Sequence, residues 1–187
     1  MPPALALIEL QSIARGVVVT DVVCKKAPVE VVRAAPVSPG KFVIVMIGEV
    51  ADVTEAFAAG VDAAAHTLVD RLLLPQAHAQ LAPMIGGQLG RAPLASVGVV
   101  EVFSVASTVL GADAACKAAD VTLVEMRLGQ GLGGKGYFTL TGELADVEAA
   151  LDAARRALDG ALLLATEIIA APHEDLCAGR LIWTARP

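Results

Sequence analysis

The stretch Ile8-Glu9-Leu10-Gln11-Ser12-Ile13-Ala14-Arg15-Gly16, continued by Asp21-Val22-Val23-Cys24-Lys25, decides how the rest of the chain is read, because the chain writes it twice. Ile8-Glu9 returns as Val100-Glu101, Ser12 as Ser104, Asp21 as Asp113, Cys24-Lys25 as Cys116-Lys117 and Val29 as Val121, all at an offset of 92. Gly40-Lys41 then returns as Gly134-Lys135, and Gly48-Glu49-Val50-Ala51-Asp52-Val53 as Gly142-Glu143-Leu144-Ala145-Asp146-Val147, at an offset of 94. The second copy therefore gains two residues between Val121 and Gly134, within the glycine-rich run Gly129-Gln130-Gly131-Leu132-Gly133-Gly134. The copies also end alike, His78-Ala79-Gln80-Leu81 against His173-Glu174-Asp175-Leu176. A period this long marks a duplicated domain, not a solenoid repeat. The join is expected near Gly86–Pro93, where glycine and proline punctuate the chain, giving domains 1–88 and 89–187.

Composition bounds the class. Of 187 residues, 56% are hydrophobic, 3% aromatic and 18% charged, which excludes a disordered chain. The longest apolar stretches are broken by Asp52, Glu55, Asp62 or Asp159, short of the ~20 apolar residues a membrane span needs. Met1-Pro2-Pro3 lacks the charged start of a signal peptide, so a cytoplasmic protein without a membrane partner is expected. A net charge of −6 argues against a dedicated nucleic-acid binder. Three cysteines, an odd number without a CxxC pair, do not suggest a disulfide framework. The surplus of small apolar residues has a natural outlet in subunit interfaces.

Each copy reads as a small α/β unit. Leu5–Ile13 and Ser96–Val105 are β-rich, and helices are expected over Val18–Ala27 and Ser107–Ala119. Second strands fall at Val29–Val37 and Val121–Leu128, third strands at Phe42–Ile47 and Tyr137–Leu140. Second helices are expected over Asp52–Thr67 and Asp146–Ala157. In the latter, Val147, Ala150, Leu151, Ala154 and Leu158 share one face. Fourth strands, Val69–Leu74 and Leu162–Ala170, and a short terminal helix close each unit. The order β-α-β-β-α-β is the ferredoxin-like split arrangement, an α+β fold present twice. That fold alone names no function.

The chemistry-bearing residues are sparse. Beyond Gly129–Gly134, Gly136 stands where a Walker loop needs Ser or Thr, and a strand follows where phosphate binding needs a helix. His66, His78 and His173 show no HExxH spacing, and no local base faces a nucleophile, so no catalytic residue is assigned. Cys24 and Cys116 read as small buried hydrophobes, Cys177 as a free thiol. Ser38-Pro39-Gly40-Lys41 reads as a tight turn between strands. Lys25 and Lys117 sit at helix C-termini, where the dipole favours cations.

The order and duplication of these motifs resemble the bacterial microcompartment (BMC) shell domain, and two in tandem resemble the tandem-domain, trimer-forming class of that family (BMC-T). The likeness spans nearly the whole chain. It implies a homotrimer that mimics a hexamer, a flat tile that packs with other shell proteins to enclose enzymes, and no catalytic activity. It also implies that Ser38, Pro39, Gly40 and Lys41, with Gly131, Leu132, Gly133, Gly134 and Lys135, line a central pore for small polar metabolites. Lys25 and Lys117 match the family's tile-edge lysines, with Arg15, His78 and His173 as further edge residues. In relatives a cysteine at the position of Ser38 can hold an iron–sulfur cluster. A neutral hydroxyl is a poor replacement for such thiolates, so neither a metal nor another cofactor is expected. Two rival readings stand beside the shell: a redox conduit with a metal centre at the trimer axis, and a metabolite-sensing ferredoxin-like oligomer that forms no sheets.

Overall fold

In the computed structural model, residues 3–90, 92–158 and 162–177 are described. Cys177's side chain, whose thiol the sequence singles out, lies outside them, as do the two chain ends. The chain divides into two compact units. One comprises the residues up to Gly86 together with Gly129–Gly134; the other comprises Gly87–Leu128 and the residues from Lys135 onward.

The first unit runs β1 (Ala4–Leu10), α1 (Ile13–Lys26), β2 (Glu30–Val37), β3 (Lys41–Gly48), α2 (Val50–Ala64), β4 (Leu68–Leu74) and α3 (Leu81–Ile85). The second repeats this as β5 (Ser96–Val102), α4 (Val105–Ala118), β6 (Thr122–Leu128), β7 (Gly136–Gly142), α5 (Leu144–Ala157), β8 (Leu163–Ile169) and α6 (Glu174–Cys177). Both sheets are antiparallel, ordered β2-β3-β1-β4 and β6-β7-β5-β8, the ferredoxin-like arrangement expected for each copy. Among the described residues no helix is long and apolar enough to cross a membrane.

Alternation along β1 builds the first core. Ala4, Ala6, Ile8 and Leu10 pack with Phe42, Ile44 and Met46 of β3 against Val19 and Val23 of α1 and Val53 and Ala56 of α2. Leu5, Leu7 and Glu9 point to the opposite face and are also buried. Strand pairing places the two-residue insertion. Pro36 pairs with Phe42 and Leu128 with Gly136, so the offset of 92 persists through β6 and the extra residues lie beyond it, in the glycine loop.

Three helix boundaries depart from the expectation in an instructive way. Both first helices start earlier, at Ile13 and Val105, directly after the strand. Ser12 and Ser104 are N-caps whose Oγ atoms accept from the backbone N–H groups of Arg15 and Ser107. The β-branched run Val17-Val18-Val19 reads locally as strand and conceals this start. The second helix of the first copy, expected to reach Thr67, ends at Ala64. Ala65 enters the left-handed region at φ +49°, and the chain continues as a 3₁₀ turn to Thr67, whose hydroxyl donates to the Ala64 carbonyl over 2.6 Å.

Candidate functional site

The residues expected to line an opening come from two loops 93 positions apart that the fold joins. Ser38–Gly40 turns between β2 and β3, with a cis Ser38–Pro39 peptide and Gly40 at φ +96°. Gly129, Gly131, Gly133 and Gly134 all have positive φ, from +61° to +92°, a path that L side chains rarely follow. The Ser38 N–H donates to the Gly129 carbonyl over 3.2 Å, and the Gly131 N–H donates to Ser38 Oγ over 3.2 Å. A Cβ on Gly134 would stand 3.2 Å from Pro39 Cδ, so glycine also serves close approach there. Beside the junction lies an open hollow of about 350 Å³ lined by Pro36–Gly40, Gln130 and Gly131. Leu132 is half-buried and Gly133 exposed in the same loop.

The loop lysines are tied back. Lys41 Nζ lies 2.8 Å from Glu9 Oε1, and Lys135 Nζ lies 2.6 Å from Glu101 Oε1. The Glu9 side chain is 1% exposed, and its Oε2 has no hydrogen-bond partner among the described residues. Each carboxylate stands beside a register shift between the strand pairs, at Glu9/Leu10 and Glu101/Val102. Glu9 and Glu101 were not singled out from sequence. The usable signal was that both members of the pair, Glu9/Lys41 and Glu101/Lys135, recur in the duplication.

The residues expected at an edge are exposed or half-buried. Lys25 and Lys117 each pair with an aspartate one turn earlier on their own helix, Asp21 and Asp113. Arg15 is exposed on α1. His78 and His173 occupy equivalent turns. Each Nδ1 accepts from a backbone N–H two residues on, that of Gln80 or Asp175, at the entry to the terminal helix. One buried group in the second unit was also missed: Glu125 accepts from Arg127 Nε over 2.6 Å and from the Tyr137 hydroxyl over 2.7 Å. Burial first, and then Glu125, push the Tyr137 hydroxyl up to about 12.

The two copies of the first helix have the same sequence pattern and opposite surroundings. On α1, Ile13, Val17 and Val18 are 44%, 59% and 49% exposed, and Asp21 and Cys24 are exposed beside them. On α4, Val105 and Val109, the equivalents of Ile13 and Val17, are fully buried, Leu110, the equivalent of Val18, is half-buried, and Asp113 and Cys116 are buried. Cys24 therefore departs from the expected buried hydrophobe, while Cys116 conforms to it. Burial, reinforced by Asp113, pushes the Cys116 thiol up to about 12.

Comparison with known proteins bears on this geometry. The BMC domain model matches twice, over residues 4–77 and 96–172. The chain is 38% identical over 177 residues to the bacterial microcompartment shell protein PduT of Citrobacter freundii, covering 94% of this chain and 96% of that protein. Among solved structures it is similar to a microcompartment protein from Desulfitobacterium hafniense DCB. The TM-score is 0.89 and the identity 37%, covering 94% of this chain and 98% of that one. It is also similar to the fused permuted hexameric shell protein of the RMM microcompartment, with a TM-score of 0.63 and 28% identity over 83% of each chain.

Proposed function

The chain belongs to the BMC-domain family of bacterial microcompartment shell proteins, and on that premise we propose that it forms a homotrimeric, pseudohexameric tile with a central opening. In this reading residues 1–88 and 89–187 are the two domains, so three chains supply six domains around one threefold axis. The tile is structural, not catalytic, and packs edge to edge with other shell proteins of a microcompartment in the cytoplasm.

The single observation that carries the trimer is the contrast between α1 and α4. The chain buries the Val105/Val109 face of its second copy and leaves the equivalent Ile13/Val17/Val18 face of its first copy open. A second copy of the chain can give that face the cover its equivalent already has. An apolar helix stripe covered by a partner gains about 25 cal/mol for each Å² removed from water.

The joined loops Ser38–Gly40 and Gly129–Gly134 are placed at the axis as the lining of the opening. Their polar groups are a hydroxyl, an amide and backbone atoms, which suits small polar metabolites. Lys25 and Lys117 are placed at tile edges with Arg15, His78 and His173 near them. The donor set at the axis does not fit an iron–sulfur cluster. Ser38 presents a hydroxyl that already accepts from the Gly131 N–H, where a cluster needs a thiolate from each subunit. The redox-conduit reading is therefore not favoured.

Light scattering on the purified protein, with electron microscopy of the same fraction, tests this function. A trimer of the 19.1 kDa chain, about 57 kDa, that gathers into sheets of six-lobed discs is expected. A monomer that makes no sheets would refute it.

A further inference from the structure

We infer that Glu9 and Glu101 are specificity-determining residues: they cancel the charge of the two loop lysines, so that the opening admits uncharged polar solutes in preference to anions. The inference rests on the trimer reading and adds the class of solute. Neither Ser38–Gly40 nor Gly129–Gly134 contains an ionisable side chain. The charges that flank them in sequence are Lys41 and Lys135, the first residue after each loop. Unpaired, these would place six ammonium groups around one axis, and a low-dielectric opening would focus their field on anions.

The structure removes that field twice by the same construction. Lys41 meets Glu9 at 2.8 Å and Lys135 meets Glu101 at 2.6 Å, at equivalent positions of two separate sheets. Burying the Glu9 carboxylate with one oxygen unsatisfied is unfavourable, and the close Lys41 ammonium offsets that cost. What then faces a solute is neutral. Ser38 Oγ accepts from the Gly131 N–H, which leaves the hydroxyl proton to donate to an oxygen acceptor such as a carbonyl or hydroxyl group.

The test is calorimetric titration of inorganic pyrophosphate into the wild-type protein and into Glu9→Gln/Glu101→Gln, with light scattering on each. Glu101→Gln alone is the second variant. The Glu101 side chain is 36% exposed, so its loss is tolerated if the buried Glu9 change is not. The wild type should bind no pyrophosphate above background. Either variant should gain binding of about tenfold or more, at one ion per three chains and weakened by salt. Adding Lys135→Gln to Glu101→Gln should abolish the gain. A wild-type trimer that already binds pyrophosphate at that stoichiometry would overturn the inference, as would variant trimers that gain nothing. A monomeric wild type would instead overturn the trimer reading itself, so the two failures are distinguishable.

Discussion

Val17→Asp and Val109→Asp make the same chemical change at the same position of the two repeats, and the structure assigns them opposite consequences. Val17 is 59% exposed on α1; Val109 is 0% exposed on α4. Helix propensity changes equally in both, so the difference isolates burial. At Val109 the substitution forfeits about 1.5–3 kcal/mol of apolar burial. It also buries a carboxylate, at an effective penalty of several kcal/mol. The sum, roughly 5 kcal/mol or more, is comparable to a whole domain's stability of about 5–15 kcal/mol. Val109→Asp should therefore unfold the second unit or prevent accumulation of the protein. At Val17 the cost to the isolated chain should stay within about 0.5 kcal/mol, because the side chain already meets solvent. In a trimer the same carboxylate enters three interfaces. At about 2–4 kcal/mol each, the association constant should fall by roughly four to eight powers of ten. The assay is light scattering for mass and circular dichroism for folding, on both variants and the wild type. Val17→Asp should give a folded monomer of 19.1 kDa that forms no sheets. A Val17→Asp protein that remains a trimer would refute the assignment of the α1 face.

Three further outcomes are expected. The Cys116 thiol ordinarily titrates at 9.0 and is held up to about 12 in the fold, so the native state binds that proton more tightly than the unfolded one. The stability it confers is complete below about pH 9 and lost as pH rises towards 12, so urea midpoints should fall over that window, and fall less in Cys116→Ala. Ser38→Cys should let a reconstituted trimer take up iron and sulfide with a visible absorption band; a well-assembled Ser38→Cys trimer without iron would count against three loops meeting at the axis. Gly90→Ala should cost about 2 kcal/mol in denaturant unfolding, because its Cβ would lie 1.9 Å from the backbone oxygen of Leu123, where Gly90 N–H donates to the neighbouring Val124 carbonyl. A variant as stable as wild type would show that this segment is free to move off β6.

The duplication, the order of elements and the position of the insertion were legible in the amino-acid sequence. These depend on local pattern: alternation along β1, the single apolar face of α5, and glycines where the chain must take positive φ. Local pattern erred where two local signals compete, as in α1, where valines that favour strands follow a serine that caps a helix. Tertiary structure alone decided that Ser38 Oγ accepts from Gly131, that Glu9 and Glu101 tie back the loop lysines, and that one copy of the first helix is covered while its equivalent is open. Ile13/Val17 and Val105/Val109 are nearly interchangeable as sequence, so no reading of either helix could tell them apart. Burial belongs to a residue's surroundings, and those are set by segments distant in the chain that meet only when the whole of it has folded.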